Sequence, residues 1–371
     1  MKPSRQYREK LIFLMTAGAM GIILLVIGGF QLIEFTDSTA FCGRLCHDVM
    51  YPEYTAHQAS PHSRVACSEC HVGPGADYLV RSKVSGTPML YNTLVGTYHR
   101  PIPTPVENLR PARETCEQCH RPERFAGDLV RVHTTYETDE ANTEKVDTRV
   151  LRVGGGELET ARDIHWHIAA RVWYVPLDRE RQEIAWVGVE DTNNQLTEYI
   201  DPKREVEITA ALIEDEKRLM DCMDCHNRAT HIFNSPEELL DAALAQGKID
   251  KELPYIKREA LQALDPPSSS LAEANTRAEG IKEFYRTNYT TIYEEKLTAI
   301  EKAVEEVKEI ARLTTFPYMN VSWETYIDNS SHQESPGCLR CHGKLLEAAA
   351  TDAKGETINA DCDLCHYFEL K

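Results

Sequence analysis

Cysteine and histidine are the residues of this chain whose spacing can do chemistry. Five times the order is Cys-x-x-Cys-His: Cys67, Cys70 and His71; Cys116, Cys119 and His120; Cys222, Cys225 and His226; Cys338, Cys341 and His342; Cys362, Cys365 and His366. A sixth set, "FCGRLCHDVM" (41–50), places three residues between Cys42 and Cys46 before His47. Together these sets use all 12 cysteines. Zinc knuckles also draw on cysteine pairs, but nothing in a tetrahedral zinc site calls for a histidine directly after the second cysteine. A c-type haem does: each thiol adds to a vinyl group, and the adjacent imidazole reaches the iron. Six such sets with no spare cysteine predict a multihaem chain carrying six covalently attached haem c groups. In the stretched first box both thiols still reach the vinyls if the extra residue bulges out, which the conformational freedom of Gly43 favours. A lost or singly attached haem is the rival reading there.

An iron that only carries electrons needs a second axial ligand. Eight histidines lie outside the boxes: His57, His62, His99, His133, His165, His167, His231 and His332. His62 and His332 each stand shortly before a box. His231 follows His226 by five residues, too close to reach the opposite face of the same iron, so it is assigned to a neighbouring haem. In "DIHWHI" (163–168), period-two alternation sets His165 and His167 on one side of a strand, ready to serve two haems. These five are read as distal ligands. His133 stands open between ligand and ordinary polar residue, while His57 and His99 read as surface residues. Met50, three residues beyond His47, is either a thioether ligand to the first haem, which would raise its potential, or an apolar contact. Ligands borrowed across the sequence force haems together, and close haems make a wire.

The elements that position these residues begin at the membrane. Leu11–Phe30 runs twenty residues without a charge, long enough to cross a hydrocarbon core of about 30 Å as a helix. Lys2, Arg5, Arg8 and Lys10 precede it, and Glu34 and Asp37 follow. Positive flanks stay in the cytoplasm, so the bulk of the chain is expected in the periplasm or outside. A cleaved signal peptide is the alternative, with Ser38 and Ala40 as small residues near a cleavage site, but the apolar run exceeds the roughly 7–15 residues of a signal h-region. Residues 1–34 therefore form a cytoplasmic tip and anchor. Residues 35–125 hold boxes 1 to 3 and little regular pattern; the prolines of "RPIPTPVENLRPARETC" (100–116) favour extended chain.

Residues 126–215 contain no cysteine and form a β-containing insert that supplies distal histidines. Its strands are read from "RVLRVGGGE" (149–157) and "RQEIAWVGVED" (181–191). Gly154–Gly156 is a turn, since no Lys-Ser/Thr follows to complete a phosphate loop. Residues 216–371 form a helical region with boxes 4 to 6. "SPEELLDAALAQG" (235–247) is a helix capped by Ser235, opened by Pro236 and closed at Gly247. A long helix is expected over about 270–313, with Leu297, Ile300, Val304, Val307 and Ala311 at 3/4 spacing. That face either packs on its own domain or makes a subunit contact through a short coiled coil. The fold class is thus a multihaem cytochrome c, mostly irregular and helical, with a small β-containing insert and a single N-terminal transmembrane helix. A net charge of −18 argues against nucleic acid, whose phosphates need clustered Lys and Arg.

Several stretches resemble the NapC/NirT family of membrane-anchored multihaem quinol dehydrogenases, in an extended branch. They are "VMYPEYTAHQASPHSRVACSECHVGPGADYLVRSKVSG" (49–86), "RPIPTPVENLRPARETCEQCH" (100–120), "DIHWHI", "DCMDCHNRATHIF" (221–233) and "SPGCLRCH" (335–342). The resemblance implies electron transfer from membrane menaquinol to periplasmic or outer-surface acceptors. It implies Met50 as ligand of the haem nearest the membrane, and a quinol site at Lys83 with Asp77 as a weaker acidic candidate. A quinol gives up two protons with its two electrons; a carboxylate takes a proton and an ammonium group hydrogen-bonds the oxygens. After box 5 the sequence runs Gly343-Lys344-Leu345-Leu346 without the histidine that relatives often carry, which implies one five-coordinate C-terminal haem.

Three functions are weighed. The first is an electron-transfer protein with quinol dehydrogenase activity, feeding a periplasmic cytochrome or reductase. The second is a subunit of a larger membrane complex fed by a protein donor, with 270–313 as contact surface. The third, an oxyanion reductase, is disfavoured because every box ends in His.

Overall fold

The computed structural model describes residues 5–367 apart from 46, 74, 107–108, 122–123, 125–126, 158, 192, 334 and 349–356; for residues 45, 47 and 48 it describes the backbone alone. Helix α1 (Arg5–Asp37) contains the whole apolar run and buries none of its residues. It is the one helix among the described residues long and apolar enough to cross a membrane. A single π-helical turn, Phe41–Leu45, follows, then α2 (His47–Ala59). A π turn takes up one extra residue per turn, which is how the stretched first box is accommodated. Gly43 has no left-handed backbone. Its role is close approach: a Cβ there would stand 2.1 Å from Cδ2 of Tyr54. The expected bulge is present, but the glycine serves packing rather than backbone freedom.

Box 2 is the one-turn helix α3 (Cys67–His71). The next element, α4 (Ala76–Val95), was not expected from the sequence: twenty residues, Pro88 inside it, none buried. Box 3 begins on α5 (Ala112–Cys116).

The strands β1 (Leu129–Tyr136) and β2 (Glu144–Leu151) form an antiparallel hairpin in the register Leu129↔Leu151 to Tyr136↔Glu144. "DIHWHI" is not a strand. His165 caps the short helix α6 (Trp166–Ala169), so the two histidines are presented by a turn. Strands β3 (Arg171–Pro176), β4 (Ile184–Glu190) and β5 (Leu196–Ile200) form an antiparallel meander. After α7 (Ala210–Glu216), β6 (Arg218–Leu219) adds to β3 and leads directly into α8 (Cys222–Cys225), the core of box 4.

A helical bundle follows: α9 (Pro236–Ala245), α10 (Ile256–Leu264), α11 (Leu271–Asn288), α12 (Thr290–Glu295) and α13 (Leu297–Thr314). Ser235 caps α9 as expected, in a reciprocal capping box with Glu238. The expected single helix over 270–313 is three helices, with α11 packed back on α13. Ile300, Val304, Val307 and Ala311 are buried in the bundle's own core beside Ile281 and Tyr285. That face is therefore spent inside the chain and is not a coiled-coil seam for a partner.

The bundle reaches across to the hairpin. Tyr136 lies in its core, the Tyr136 amide donates to Asp241 at 3.0 Å, and the buried Lys257 ammonium bridges Asp241 (2.8 Å) and Glu237 (3.0 Å). Strands β7 (Thr315–Phe316) and β8 (Val321–Ser322) make a small ladder. Strand β9 (Leu346–Glu347) follows box 5 and joins β5, giving the sheet order β6-β3-β4-β5-β9. Strand β10 (His366–Tyr367) ends box 6 and pairs with β2, with His366 opposite Leu151. Boxes 4, 5 and 6 are thus each tied to a sheet by a two-residue strand.

Candidate functional site: a row of paired histidines

Two imidazoles bound on opposite faces of one metal ion, each with a metal–nitrogen bond of about 2 Å, hold their ring centres roughly 6 Å apart. Four box histidines meet a non-box histidine at that spacing. His71 lies 6.2 Å from His231, His120 lies 5.9 Å from His62, His342 lies 5.8 Å from His167, and His366 lies 6.1 Å from His332. His226 lies within electrostatic reach of His165. The five non-box histidines singled out in the sequence each stand beside a box histidine, and His57 also lies within electrostatic reach of His71. His342 and His366 each have a histidine beside them, so the geometry does not single out an open C-terminal box.

Distance alone does not define a ligand. His57 stands 6.4 Å from His231, but its Nε2 donates to the Val65 carbonyl at 3.1 Å and its Nδ1 accepts from Gln58 at 3.2 Å. Both nitrogens are used, and the ring is buried rather than at the surface as expected. His231, His167 and His342 differ. Nδ1 of His231 donates to the Glu53 carbonyl at 3.0 Å, Nδ1 of His167 to the Ile164 carbonyl at 2.8 Å, and Nδ1 of His342 to the Asn359 carbonyl. A carbonyl only accepts, so Nδ1 carries the proton and Nε2 keeps its lone pair for a metal. Burial, and then the Arg228 cation, holds the His231 pKa down to about 4, and burial likewise lowers His167 and His165. These rings are neutral at pH 7, the form that ligates. His133, on the exposed strand β1, and His99 are exposed.

Cys46 and the side chain of His47 lie outside the described residues. The helical backbone of α2 sets positions 47 and 50 one turn apart. Met50 packs, half-buried, against the apolar cluster of Val49, Phe316 and Met319.

The cysteines fall into a row that follows the sequence. Cys42 of box 1 hydrogen-bonds Cys67 of box 2. Cys70 lies within electrostatic reach of Cys119, and Cys116 of box 3 hydrogen-bonds Cys222 of box 4. Cys225 lies within reach of Cys338 and Cys341, and Cys365 of box 6 within reach of Cys338. Two residues between box cysteines, missed in the sequence, lock boxes 4 and 5 together. Arg340 donates to the Asp224 carbonyl at 2.6 Å, while the Asp224 carboxylate accepts from Arg181 at 2.9 Å and from Tyr174.

The residues present fit haem. Among the described residues no three His, Cys, Asp or Glu side chains converge to hold a bare ion, so the donors come in opposed pairs rather than tetrahedral sets. Arg110 is 8 % exposed, yet its Nε and Nη1 have no hydrogen-bond partner. Its Nη2 pairs with Glu114 at 2.9 Å, and the two remaining buried donors can take a second acceptor such as a haem propionate.

Lys83, on α4, pairs with Asp37 and donates to Thr36 at 2.9 Å, both at the end of α1. Asp77 opens α4 six residues earlier, about 9 Å along the axis. The carboxylate beside Lys83 is therefore Asp37, and its place right after the apolar run was the signal for it.

Paired imidazoles, thioether-forming cysteines and one apolar helix define a membrane-anchored multihaem c-type cytochrome that transfers electrons. The model of the NapC/NirT cytochrome c family, N-terminal region, matches residues 4–103. The cytochrome c-type protein ImcH of Geobacter sulfurreducens is 41 % identical over 361 residues, covering 97 % of this chain and 70 % of that protein. The chain belongs to the NapC/NirT family of c-type cytochromes. One apolar N-terminal helix and this family fit a single-pass inner-membrane protein. No solved structure matches it.

Proposed function

We propose that the chain is a hexahaem cytochrome that takes electrons from menaquinol in the bilayer and passes them, box by box, to a periplasmic or outer-surface partner in anaerobic respiration. The observation that carries this reading is the row itself. It begins at Cys42, just beyond the end of the apolar helix at Asp37, and reaches box 6 in sequence order. Bound haems supply one-electron chemistry at their irons. In the proposed arrangement His71, His120, His226, His342 and His366 bind from one side, and His231, His62, His165, His167 and His332 from the other.

Quinol meets the row at Lys83 and Asp37. Both groups sit where α1 leaves its apolar stretch, the level at which a lipid-soluble headgroup meets water. Asp37 takes a proton and Lys83 hydrogen-bonds the quinol oxygen. Helix α4 lines the approach: Val80, Val84, Tyr91 and Leu94 lie along one stripe and are exposed by 62 %, 68 %, 64 % and 77 %. The basic residues before α1 stay in the cytoplasm and the haem region lies in the periplasm.

The test is anaerobic mixing of the detergent-purified protein with a menaquinol analogue, following the haem α-band, beside Lys83→Ala. Rapid reduction that falls at least tenfold in the variant supports the site. No reduction by quinol, with normal reduction by dithionite, overturns it and points to a protein donor.

A further inference from the structure

We propose that Glu53 tunes the box-2 haem by acting on its distal ligand, His231, and sets its potential below the value that the neighbouring Arg228 cation alone would give. The inference rests on the haem-row reading above. Glu53 lies on α2, in the segment of box 1, and touches His231 twice. Its carbonyl accepts from Nδ1 at 3.0 Å, and its carboxylate Oε2 stands 3.1 Å from the same nitrogen. Arg228 closes the arrangement from the segment after box 4. Its Nη2 is 3.3 Å from the Glu53 carboxylate, its Nε donates to the His231 carbonyl at 2.8 Å, and its guanidinium lies 4.3 Å over the Tyr326 ring. The side chains of Arg228 and Glu53 are 8 % and 13 % exposed.

The Arg228 cation lowers the basicity of this imidazole, and the carboxylate beside the Nδ1–H works against it, raising the basicity at Nε2. A more basic ligand favours ferric over ferrous iron, so the potential falls. Box 5 provides the internal contrast. There the Nδ1–H groups of His167 and His342 meet only the carbonyls of Ile164 and Asn359. Glu53 is a positioning residue: it acts through His231 and touches no reacting atom.

The experiment is a potentiometric titration of the full, haem-loaded protein with haem-resolved EPR, comparing wild type with Glu53→Gln. The backbone carbonyl remains in the variant, so the ring stays pinned and only the charge is lost. One haem of the six should become easier to reduce by about tenfold in its equilibrium constant, about 59 mV for one electron, and its low-spin g-values should shift. Glu53→Asp should fall between the two. A variant with full haem content in which no step moves overturns the role of Glu53 while leaving the row standing. Failure of the reading beneath it looks different: His231→Met would then leave every haem with histidine pairs and no Met–iron charge-transfer band. If Glu53→Gln does not assemble, Glu53→Asp decides: one step shifted part-way in the same direction supports the proposal, and no shift overturns it.

Discussion

Helices α4 and α13 have similar lengths, 20 and 18 residues, and opposite surroundings. α13 buries seven residues against α9, α10 and α11. α4 buries none. The bundle around α13 makes its core from side chains of the same polypeptide, so its stability is contained in the chain. Among its described residues the region from α1 to box 3 has no comparable core; its apolar cluster at Val49 is completed by Phe316, Met319 and Val321 from far along the sequence. Under the proposed reading, porphyrin and lipid would take the place of that core. Folding of the bundle and folding of the boxes should therefore be separable.

The largest expected effect separates them directly. Chain made without haem attachment should keep 236–314 resistant to limited proteolysis while 35–121 is cut rapidly, read by mass spectrometry of the fragments. Equal resistance would break the comparison. Next, Ile300→Ala removes a fully buried side chain of the bundle. It should destabilise the bundle by about 3 kcal/mol in denaturant unfolding and leave all haem potentials in place. Smallest and most local, Gly43→Ala drives a methyl into Tyr54 and should cost about 2 kcal/mol around box 1. Haem content should fall by one haem per chain, with boxes 2 to 6 loaded normally; unchanged content would show that the π turn tolerates the clash.

What was legible in the sequence follows the same division. The boxes, and the histidines that the structure sets beside them, could be singled out because residue type alone restricts their chemistry. Ser235 could be read because a cap is a local device. The break of 270–313 into three helices could not: neither Tyr289 nor Lys296, at the breaks, is a helix-breaking Pro or Gly, and only the fold-back of α11 on α13 requires them. α4 escaped because a helix with Gly86 and Pro88 inside and no buried face lacks the usual signals. His57 was read as surface because the carbonyl that buries it, at Val65, is offered by a loop rather than by its own helix. The alternation that sets His165 and His167 on one side of a strand is not there: a turn and a short helix present them instead.

The order of the boxes has an electrical meaning. Cysteines of each box meet those of the next, from Cys42–Cys67 through Cys116–Cys222 to Cys338–Cys365. Loaded as proposed, the contacts among the described residues make a series circuit: the same current crosses each junction, and the most resistive junction sets the throughput.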